Sequence, residues 1–206
     1  MGSAFVPDEN SFAIGATMAG HYGPPTTGAT LTETSCAGAW NVQGDAHAPE
    51  FAEEVHRLFD VALPLVPNTT TRTPALTTLW LGPASWLLVV AGKTAPENFD
   101  ARRDALNAVG GALFDVTASR VAWTIAGTHA ATVLAKSCPL DFHPRAFPEG
   151  ACAQSLFGPM NALVYRRAAS PVFTLMVARS LARDAWLTLC RSAAPYGYDV
   201  LPPRFF

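Results

Sequence analysis

The residues best able to do chemistry lie close together in one proline-rich stretch, residues 137–150. Within it, Cys138, Asp141 and His143 supply a thiol, a carboxylate and an imidazole. A thiol beside an imidazole can act as a nucleophilic pair, with a carboxylate that orients the imidazole. An aspartate two residues before a His-Pro pair, however, typically caps a turn by bonding its own backbone. No oxyanion-stabilising group is evident nearby, so we expect a structural loop here rather than a catalytic site.

A zinc site is the second chemistry that this stretch could support. Cys138, His143 and Cys152 could provide three ligands. A structural zinc site usually takes four, with two of them presented from a single turn, and the spacing here offers no such pair. Buried cysteines otherwise pack as small apolar side chains. We therefore expect no metal ligand, no catalytic residue and no cofactor-binding residue in this chain.

The proline-rich loop is stiff and half apolar. Its three prolines, at positions 139, 144 and 148, remove backbone donors and fix φ, which excludes an ordinary helix or a central strand. Apolar residues such as Phe147 alternate with the polar ones. Long loops in compact domains usually serve a function or hold something in place. Within this loop, Arg145 is expected to make a directed pair that clamps the loop or a neighbouring subunit.

An aromatic hairpin is the other marked feature. Leu76–Leu81 and Trp86–Val90 are predicted strands, and Gly82-Pro83-Ala84-Ser85 supplies the turn between them. Trp80 and Trp86 flank this turn and could form a platform for a planar ligand. Core packing on a half-buried sheet explains them as well, and we adopt that interpretation. The common nucleotide-binding, zinc-protease and Cys-x-x-Cys motifs are absent from the sequence.

Composition limits the partners and the cellular location that we expect for this chain. The chain has 206 residues, of which 50% are apolar and 15% charged, with five Trp and twelve Phe. So little charge suggests that a partner covers some apolar surface. A net charge of −2 without a basic patch argues against nucleic acid. The sequence has no run of about 18 apolar residues and no basic leader, so we expect no membrane span, no signal peptide and a cytoplasmic location. The four cysteines, Cys36, Cys138, Cys152 and Cys190, are then expected to be reduced.

The elements that must position these residues follow from periodicity and turn signals. They predict an α+β fold of two split βαβ-like halves, with mainly antiparallel sheets and helices packed on them. We expect an extended N-terminal arm at residues 1–30, one domain at 31–196 with halves at about 31–117 and 118–196, and an irregular tail at 197–206. Both ends are expected to contact a partner.

The predicted elements are a strand at 33–43, a helix at 49–60, the hairpin, a helix at 97–109 ended by Gly110-Gly111, paired strands at 112–117 and 121–126, a short helix at 127–136, strands at 151–157, 162–166 and 172–177, and a last helix capped by Ser180.

Two stretches carry a resemblance to a known family. One is Leu79-Trp80-Leu81-Gly82-Pro83 followed by Trp86-Leu87-Leu88-Val89; the other runs from Cys138-Pro139-Leu140-Asp141 through His143-Pro144-Arg145-Ala146-Phe147-Pro148 to Cys152-Ala153-Gln154. Together they resemble the gamma subunit of bacterial heterotetrameric sarcosine oxidase. The resemblance runs from about residue 33 to 194. It departs from the family at Ala84-Ser85, where acidic residues are usual, and residues 1–30 match no pattern of the family.

The resemblance implies a noncatalytic subunit that packs on the alpha subunit of a complex with beta and delta subunits. In that family the alpha and beta subunits bind NAD, FAD and covalent FMN, and the delta subunit carries zinc. The complex oxidises sarcosine to glycine and hydrogen peroxide, and with tetrahydrofolate it yields 5,10-methylenetetrahydrofolate. The gamma fold is similar to the folate-binding domain of the glycine-cleavage aminomethyltransferase. The structural or interface candidates are Trp80, Gly82, Trp86, Cys138, Asp141, His143, Arg145 and Phe147.

Two alternatives to a sarcosine oxidase subunit stay open. One is the equivalent subunit of a related N-methyl amine oxidase or dehydrogenase. The other is an autonomous folate-binding protein. As a subunit of either complex, this chain is expected to bind no cofactor itself. Only the second alternative, the folate-binding protein, would bind tetrahydrofolate.

Overall fold

The computed structural model describes residues 18–94 and 97–206, which form two β-sheets and four helices. The predicted α+β class, with mostly antiparallel sheets, is confirmed. The elements are β1 (Gly20–Tyr22), β2 (Ala29–Ser35), β3 (Gly38–Gln43), α1 (Pro49–Phe59), β4 (Thr70–Arg72), β5 (Leu76–Gly82), β6 (Ser85–Val90), α2 (Phe99–Ala108), β7 (Ala112–Asp115), β8 (Arg120–Ala126), α3 (Ala130–Ala135), β9 (Cys152–Phe157), β10 (Met160–Ala168), β11 (Val172–Ala178), α4 (Ala182–Ala193) and β12 (Tyr198–Phe205).

The five-stranded sheet has the order β4-β5-β6-β3-β7, and every pair in it is antiparallel. Its strands and helices follow the split βαβ pattern β3-α1-β5-β6-α2-β7, with β4 added at one edge. Helix α1 packs on one face because Phe51, Val55 and Phe59 recur at helical spacing and are buried against that sheet. Leu106 of α2 joins the same apolar cluster. Gly110, with a φ of +78°, takes the left-handed conformation just after α2, as the sequence predicts.

The seven-stranded sheet has the order β1-β12-β2-β8-β11-β10-β9. It repeats the same pattern as β8-α3-β10-β11-α4-β12, with β9 added at one edge. Strand β2 is inserted between β8 and β12, and it pairs parallel with β12. Helices α3 and α4 cover one face of this sheet. The other face packs against the five-stranded sheet through side chains such as Leu79, Leu87, Leu163 and Met176. The layers are therefore helices, sheet, sheet and helices.

Two predicted strand arrangements are wrong. The single strand expected at 33–43 is two strands, and the chain passes from one sheet to the other at Cys36-Ala37. The strands predicted at 112–117 and 121–126 do not pair with each other. Strand β7 pairs with β3, while β8 pairs with β2 and β11 in the other sheet. In both cases a local pattern predicted the extended conformation but not the strand's partner.

The two chain ends also differ from expectation. Residues 198–205 form β12 rather than an irregular tail, and they pair with both β1 and β2. The predicted N-terminal arm lies partly outside the described residues, but β1 and the start of β2 fall within residues 20–30 and belong to the sheet. Ser180 lies in a single 3₁₀ turn, and Leu181 rather than Ser180 is the N-cap of α4. No helix in the described part of the chain combines the length and apolar character that crossing a bilayer requires.

Candidate functional site

The side chains of the proline-rich loop divide sharply between core and solvent. Cys138, Phe142 and Phe147 are at most 5% exposed and join the core beneath α3 and α4. Phe142 and Phe147 meet edge to face, with ring centroids 5.7 Å apart. The exposed residues are Asp141, His143 and Arg145. The loop is therefore anchored by its apolar residues, and its polar residues face outward.

The three groups that could have formed a catalytic set are used to shape a turn. The Asp141 carboxylate accepts a hydrogen bond from the His143 backbone N–H at 2.9 Å. The His143 Nδ1 in turn accepts from the Arg145 backbone N–H at 3.2 Å. The buried Cys138 thiol makes no hydrogen bond to His143 in the described structure. This arrangement fixes the loop and gives the imidazole no nucleophile to activate.

The candidate zinc ligands are not brought together either. Residues 18–94 and 97–206 contain no group of three or more His, Cys, Asp or Glu that could hold a metal ion. Cys152 is buried, and its Sγ donates to the carbonyl oxygens of Thr69 at 3.3 Å and Trp80 at 3.5 Å. Burial raises the pKa of this thiol to about 11. Cys152 is therefore a protonated thiol rather than a thiolate ligand or nucleophile.

The loop is clamped by an arginine that sequence reasoning missed. Arg166 of β10 is 5% exposed, and its Nη1 donates to the Phe147 carbonyl oxygen at 2.7 Å. Its Nη2 and Nε donate to the carbonyl oxygens of Ala169 at 2.7 Å and Ala168 at 3.2 Å. The sequence shows only that a charged residue, Arg166, directly follows the apolar run at 162–165, and this pattern does not predict a clamp on the loop.

Arg145, the residue expected to clamp the loop, does not do so. Its side chain is exposed and makes no hydrogen bond or ion pair within the described residues. The expectation failed because an exposed loop arginine and a buried strand arginine look alike in sequence. Contact between Arg145 and a neighbouring subunit stays a prediction.

The end of the loop joins the two sheets. Ala151 forms a bridge with Thr69, and the Cys152 backbone N–H donates to the Asn68 carbonyl oxygen at 2.9 Å. The Thr70 hydroxyl donates to the Gly150 carbonyl oxygen, also at 2.9 Å. These bonds tie the segment that enters β9 in one sheet to β4 in the other. We call residues 137–152 the brace, because they connect the two halves of the molecule.

The aromatic hairpin belongs to the core rather than to an open platform. Trp86 is 1% exposed, packs against Phe51, and donates its indole N–H to the Pro64 carbonyl oxygen at 2.9 Å. Trp80 lies opposite it in register and is half-buried. A Cβ added at Gly82 would meet nothing within 4 Å, so neighbouring atoms do not require glycine there.

An open cleft lies between the two sheets where β8 begins, and we call it the inter-sheet cleft. Hollows of about 150 and 290 Å³ are lined by both sheets, and an adjoining hollow of about 580 Å³ is lined by β8, β9 and β10. Arg120 lines all three, and together they make up this cleft. Asn41 is held there by its Nδ2, which donates to the Ser85 hydroxyl at 2.9 Å. Across the cleft, Gln154 donates to the Leu81 carbonyl oxygen at 2.7 Å and so links the sheets. No pattern in the sequence predicts this cleft, because its walls come from strands far apart in the chain.

Comparison with known proteins places the chain in a family. A family model described as "Sarcosine oxidase, gamma subunit family" matches residues 43–195, a range that includes the hairpin and the brace. The chain therefore belongs to the sarcosine oxidase gamma subunit family. This confirms the resemblance drawn from those two stretches.

Relatives within the gamma subunit family match over shorter stretches. The chain is 44% identical over 69 residues to the sarcosine oxidase subunit gamma of Corynebacterium sp. (strain U-96), and 34% identical over 91 residues to that of Corynebacterium sp. (strain P-1). These segments cover 34% and 43% of this chain. They span only 33% and 42% of the two relatives.

Solved structures share the fold of this gamma subunit family member over most of its length. A chain of the heterotetrameric sarcosine oxidase from Corynebacterium sp. U-96, in complex with pyrrole 2-carboxylate, superposes with a TM-score of 0.76 at 22% identity, covering 85% of this chain and 88% of that one. The glycine cleavage system aminomethyltransferase T from Bartonella henselae superposes with a TM-score of 0.55 at 16% identity, covering 86% of this chain and 48% of that one. At these identities the superpositions establish the fold alone.

Proposed function

We propose that this chain is the noncatalytic gamma subunit of a heterotetrameric sarcosine oxidase complex. In this proposal it packs mainly on the alpha subunit and stabilises the assembly with the beta and delta subunits. The complex oxidatively demethylates sarcosine to glycine with hydrogen peroxide and, with tetrahydrofolate, forms 5,10-methylenetetrahydrofolate. The other subunits hold FAD, FMN, NAD and zinc. Membership of the gamma subunit family supports the proposal.

The observation that carries the noncatalytic role is the brace. Its potentially reactive residues serve the architecture, since Asp141 and His143 shape the turn and Cys152 is a buried, protonated thiol. Asp141 and His143 already accept backbone hydrogen bonds of the loop, and the Cys138 thiol makes no hydrogen bond to His143 within the described residues, so no paired nucleophile and base is formed. The most recognisable motif of the chain therefore serves rigidity, which suits a subunit that others pack against.

Two expression arms test this proposal. The chain is expressed alone and together with the neighbouring genes, and each product is sized and scanned at flavin wavelengths. The chain alone should be poorly soluble and colourless. The co-expressed chain should purify with larger subunits that show flavin absorbance, and the complex should release hydrogen peroxide when sarcosine is added. N-methylglutamate and dimethylglycine, offered in parallel, separate sarcosine oxidase from a related amine oxidase.

An autonomous folate-binding protein is the alternative that the aminomethyltransferase fold raises. It predicts a soluble monomer whose Trp fluorescence is quenched when tetrahydrofolate is added. The subunit proposal predicts no such quenching. A soluble monomer that binds tetrahydrofolate, or a chain that is yellow on its own, would overturn the subunit proposal.

A further inference from the structure

Large apolar side chains flank the inter-sheet cleft and are open to solvent. Phe114 is 50% exposed and Leu156 is 46% exposed. Phe114 lies opposite Asn41 on β3, and Leu156 lies opposite Asn161 on β10. Residues paired across antiparallel strands share a face of the sheet, and both asparagines line the cleft. An apolar group therefore stands on each wall beside a polar centre, a pattern typical of protein interfaces.

The polar centre of the cleft is Arg120, for which the described residues supply no partner. The Arg120 guanidinium is half-buried and makes no hydrogen bond or ion pair within residues 18–94 and 97–206. Burial lowers its pKa, and in the described part of the chain no carboxylate offsets this effect. Arg166, in the same sheet, shows the contrast, because three carbonyl oxygens satisfy its guanidinium. A cation withdrawn from water without an acceptor is unfavourable, so an arriving acceptor stabilises it.

The other charged groups at the cleft are Glu33, Arg179 and Asp115. Glu33 and Arg179 line the hollow of about 150 Å³ together with Arg120. Burial raises the pKa of Glu33, and the positive charge of Arg179 lowers it, so these two groups act on each other. The Arg179 Nε also donates to the Ala118 carbonyl oxygen at 2.6 Å. Asp115, whose charge acts on Cys36 at the same hollow, accepts a hydrogen bond from the Thr117 backbone N–H at 2.9 Å. Within residues 18–94 and 97–206 none of these carboxylates pairs with Arg120, so its guanidinium can bind a further one. A carboxylate fits it best, since it can take two parallel hydrogen bonds from a guanidinium.

We propose that the inter-sheet cleft receives a segment of a partner subunit that places an Asp or Glu carboxylate on Arg120 and apolar side chains on Phe114 and Leu156. This inference rests on the proposed function, in which the chain is a subunit. The open form of the hollows favours a protein segment over a free small carboxylate, because small-molecule sites enclose most of their ligand. The apolar rim adds contact area that a small carboxylate would leave uncovered.

The test uses the co-expressed complex with substitutions in this chain. Arg120→Glu, Arg120→Gln and Leu156→Asp alter the cleft, and Arg183→Glu on the exposed side of α4 is the matched control. A dilution series followed by native mass spectrometry gives the affinity of each variant for the rest of the complex. We expect Arg120→Glu and Leu156→Asp to weaken it about tenfold or more, and Arg120→Gln less. Arg183→Glu should match the unsubstituted chain.

Folding controls and a cross-link keep the test decisive. Circular dichroism and urea unfolding check every variant; if Arg120→Glu does not fold, Arg120→Gln and Leu156→Asp decide the result. A photo-reactive amino acid at position 156 should capture a partner peptide that contains Asp or Glu. Capture of a peptide without an acidic residue would overturn the proposal.

The outcomes also separate this inference from the proposed function. If the unsubstituted chain forms no complex, the proposed function fails, and the inference fails with it. If the complex forms and the Arg120 variants assemble as tightly as the control, only the inference fails. Acetate and glutarate titrated into the purified complex give the last outcome. Binding that depends on Arg120, together with assembly that does not, would make the cleft a small-carboxylate site and overturn the proposal.

Discussion

At the scale of single residues, the environment of each arginine decides its role. Arg166 is buried among carbonyl oxygens and holds the brace, whereas Arg145 in the brace itself is exposed. Arg120 lines a cleft and is unpaired among the described residues. Sequence reasoning could identify Asp141 as a turn residue because its contact is local. It could not identify Arg166 or Arg120, because their surroundings are assembled from distant strands.

Replacing Arg166 should destabilise the protein far more than replacing Arg145. Arg166→Met leaves buried carbonyl oxygens without their charged donor, so we expect a loss of about 3 kcal/mol in the free energy of unfolding. Arg145→Met, at an exposed position, should change it by no more than about 0.5 kcal/mol. Urea unfolding followed by Trp fluorescence measures both. Equal effects of the two substitutions would show that Arg166 does not clamp the brace.

At the scale of elements, local patterns predicted those whose signals are complete within a few turns of chain. Helix α1 follows from apolar spacing, and the β5–β6 hairpin follows from its Gly-Pro turn. Strand β12 was missed because Pro202 and Pro203 argue against a regular strand. In the structure, the pairing of β12 with β2 shifts register between Leu201 and Arg204, so the two prolines sit at an irregularity where the ladder is interrupted.

The pairing of β1 with β12 should weaken as pH rises. His21 lies opposite Asp199, and their Nδ1 and Oδ1 atoms are 2.7 Å apart. The hydrogen bond to Asp199, and then the one to the Pro24 carbonyl oxygen, raise the pKa of His21. A folded-state pKa above the unfolded value of about 6.5 means that the stabilisation is complete below that pH. It is lost as pH rises through the folded-state pKa.

Hydrogen-exchange protection factors at residues 20–22, measured from about pH 6 to about pH 8.5, check this prediction. Protection should fall with pH in the unsubstituted chain, while β10 amides keep theirs. Asp199→Asn should lower the pKa of His21, read from its imidazole NMR signals, and should reduce the pH dependence, since the hydrogen bond to the Pro24 carbonyl oxygen remains. A His21 signal that titrates identically in both proteins would contradict the role of this pair.

At the scale of the whole molecule, the two halves share one pattern but are not separate. The predicted boundary near residue 117 falls between β7 and β8, where the pattern begins again. However, β2 comes from the N-terminal side of that boundary and lies in the middle of the seven-stranded sheet. The brace adds a second connection, from β9 back to β4. Sequence reasoning could find the repeated order of elements but not the inserted strand, since nothing local marks its partners.

Dividing the chain at residue 117 should therefore leave the second half unable to fold. A fragment of residues 118–206 lacks β2, so the edges of β8 and β12 that it pairs with are exposed. We expect this fragment to aggregate or to unfold without cooperativity. A peptide of residues 27–36, added in trans, should restore cooperative unfolding, and a scrambled peptide should not. A cooperative transition of the fragment alone would show that the half is an independent domain.

The pairing of β2 with β12 also bears on how the protein is made. Strand β2 leaves the ribosome well before β12, which follows every other strand of the described chain. Until residues 198–205 emerge, the edge of β2 that pairs with β12 is open. Strand β1 cannot cover this edge, because among the described strands it pairs with β12 and not with β2. The nascent chain can build the five-stranded sheet during translation, but it must wait to close the larger one. The larger sheet is thus closed only after β12 has been synthesised, and a chain that stops before residue 198 keeps an unpaired strand edge.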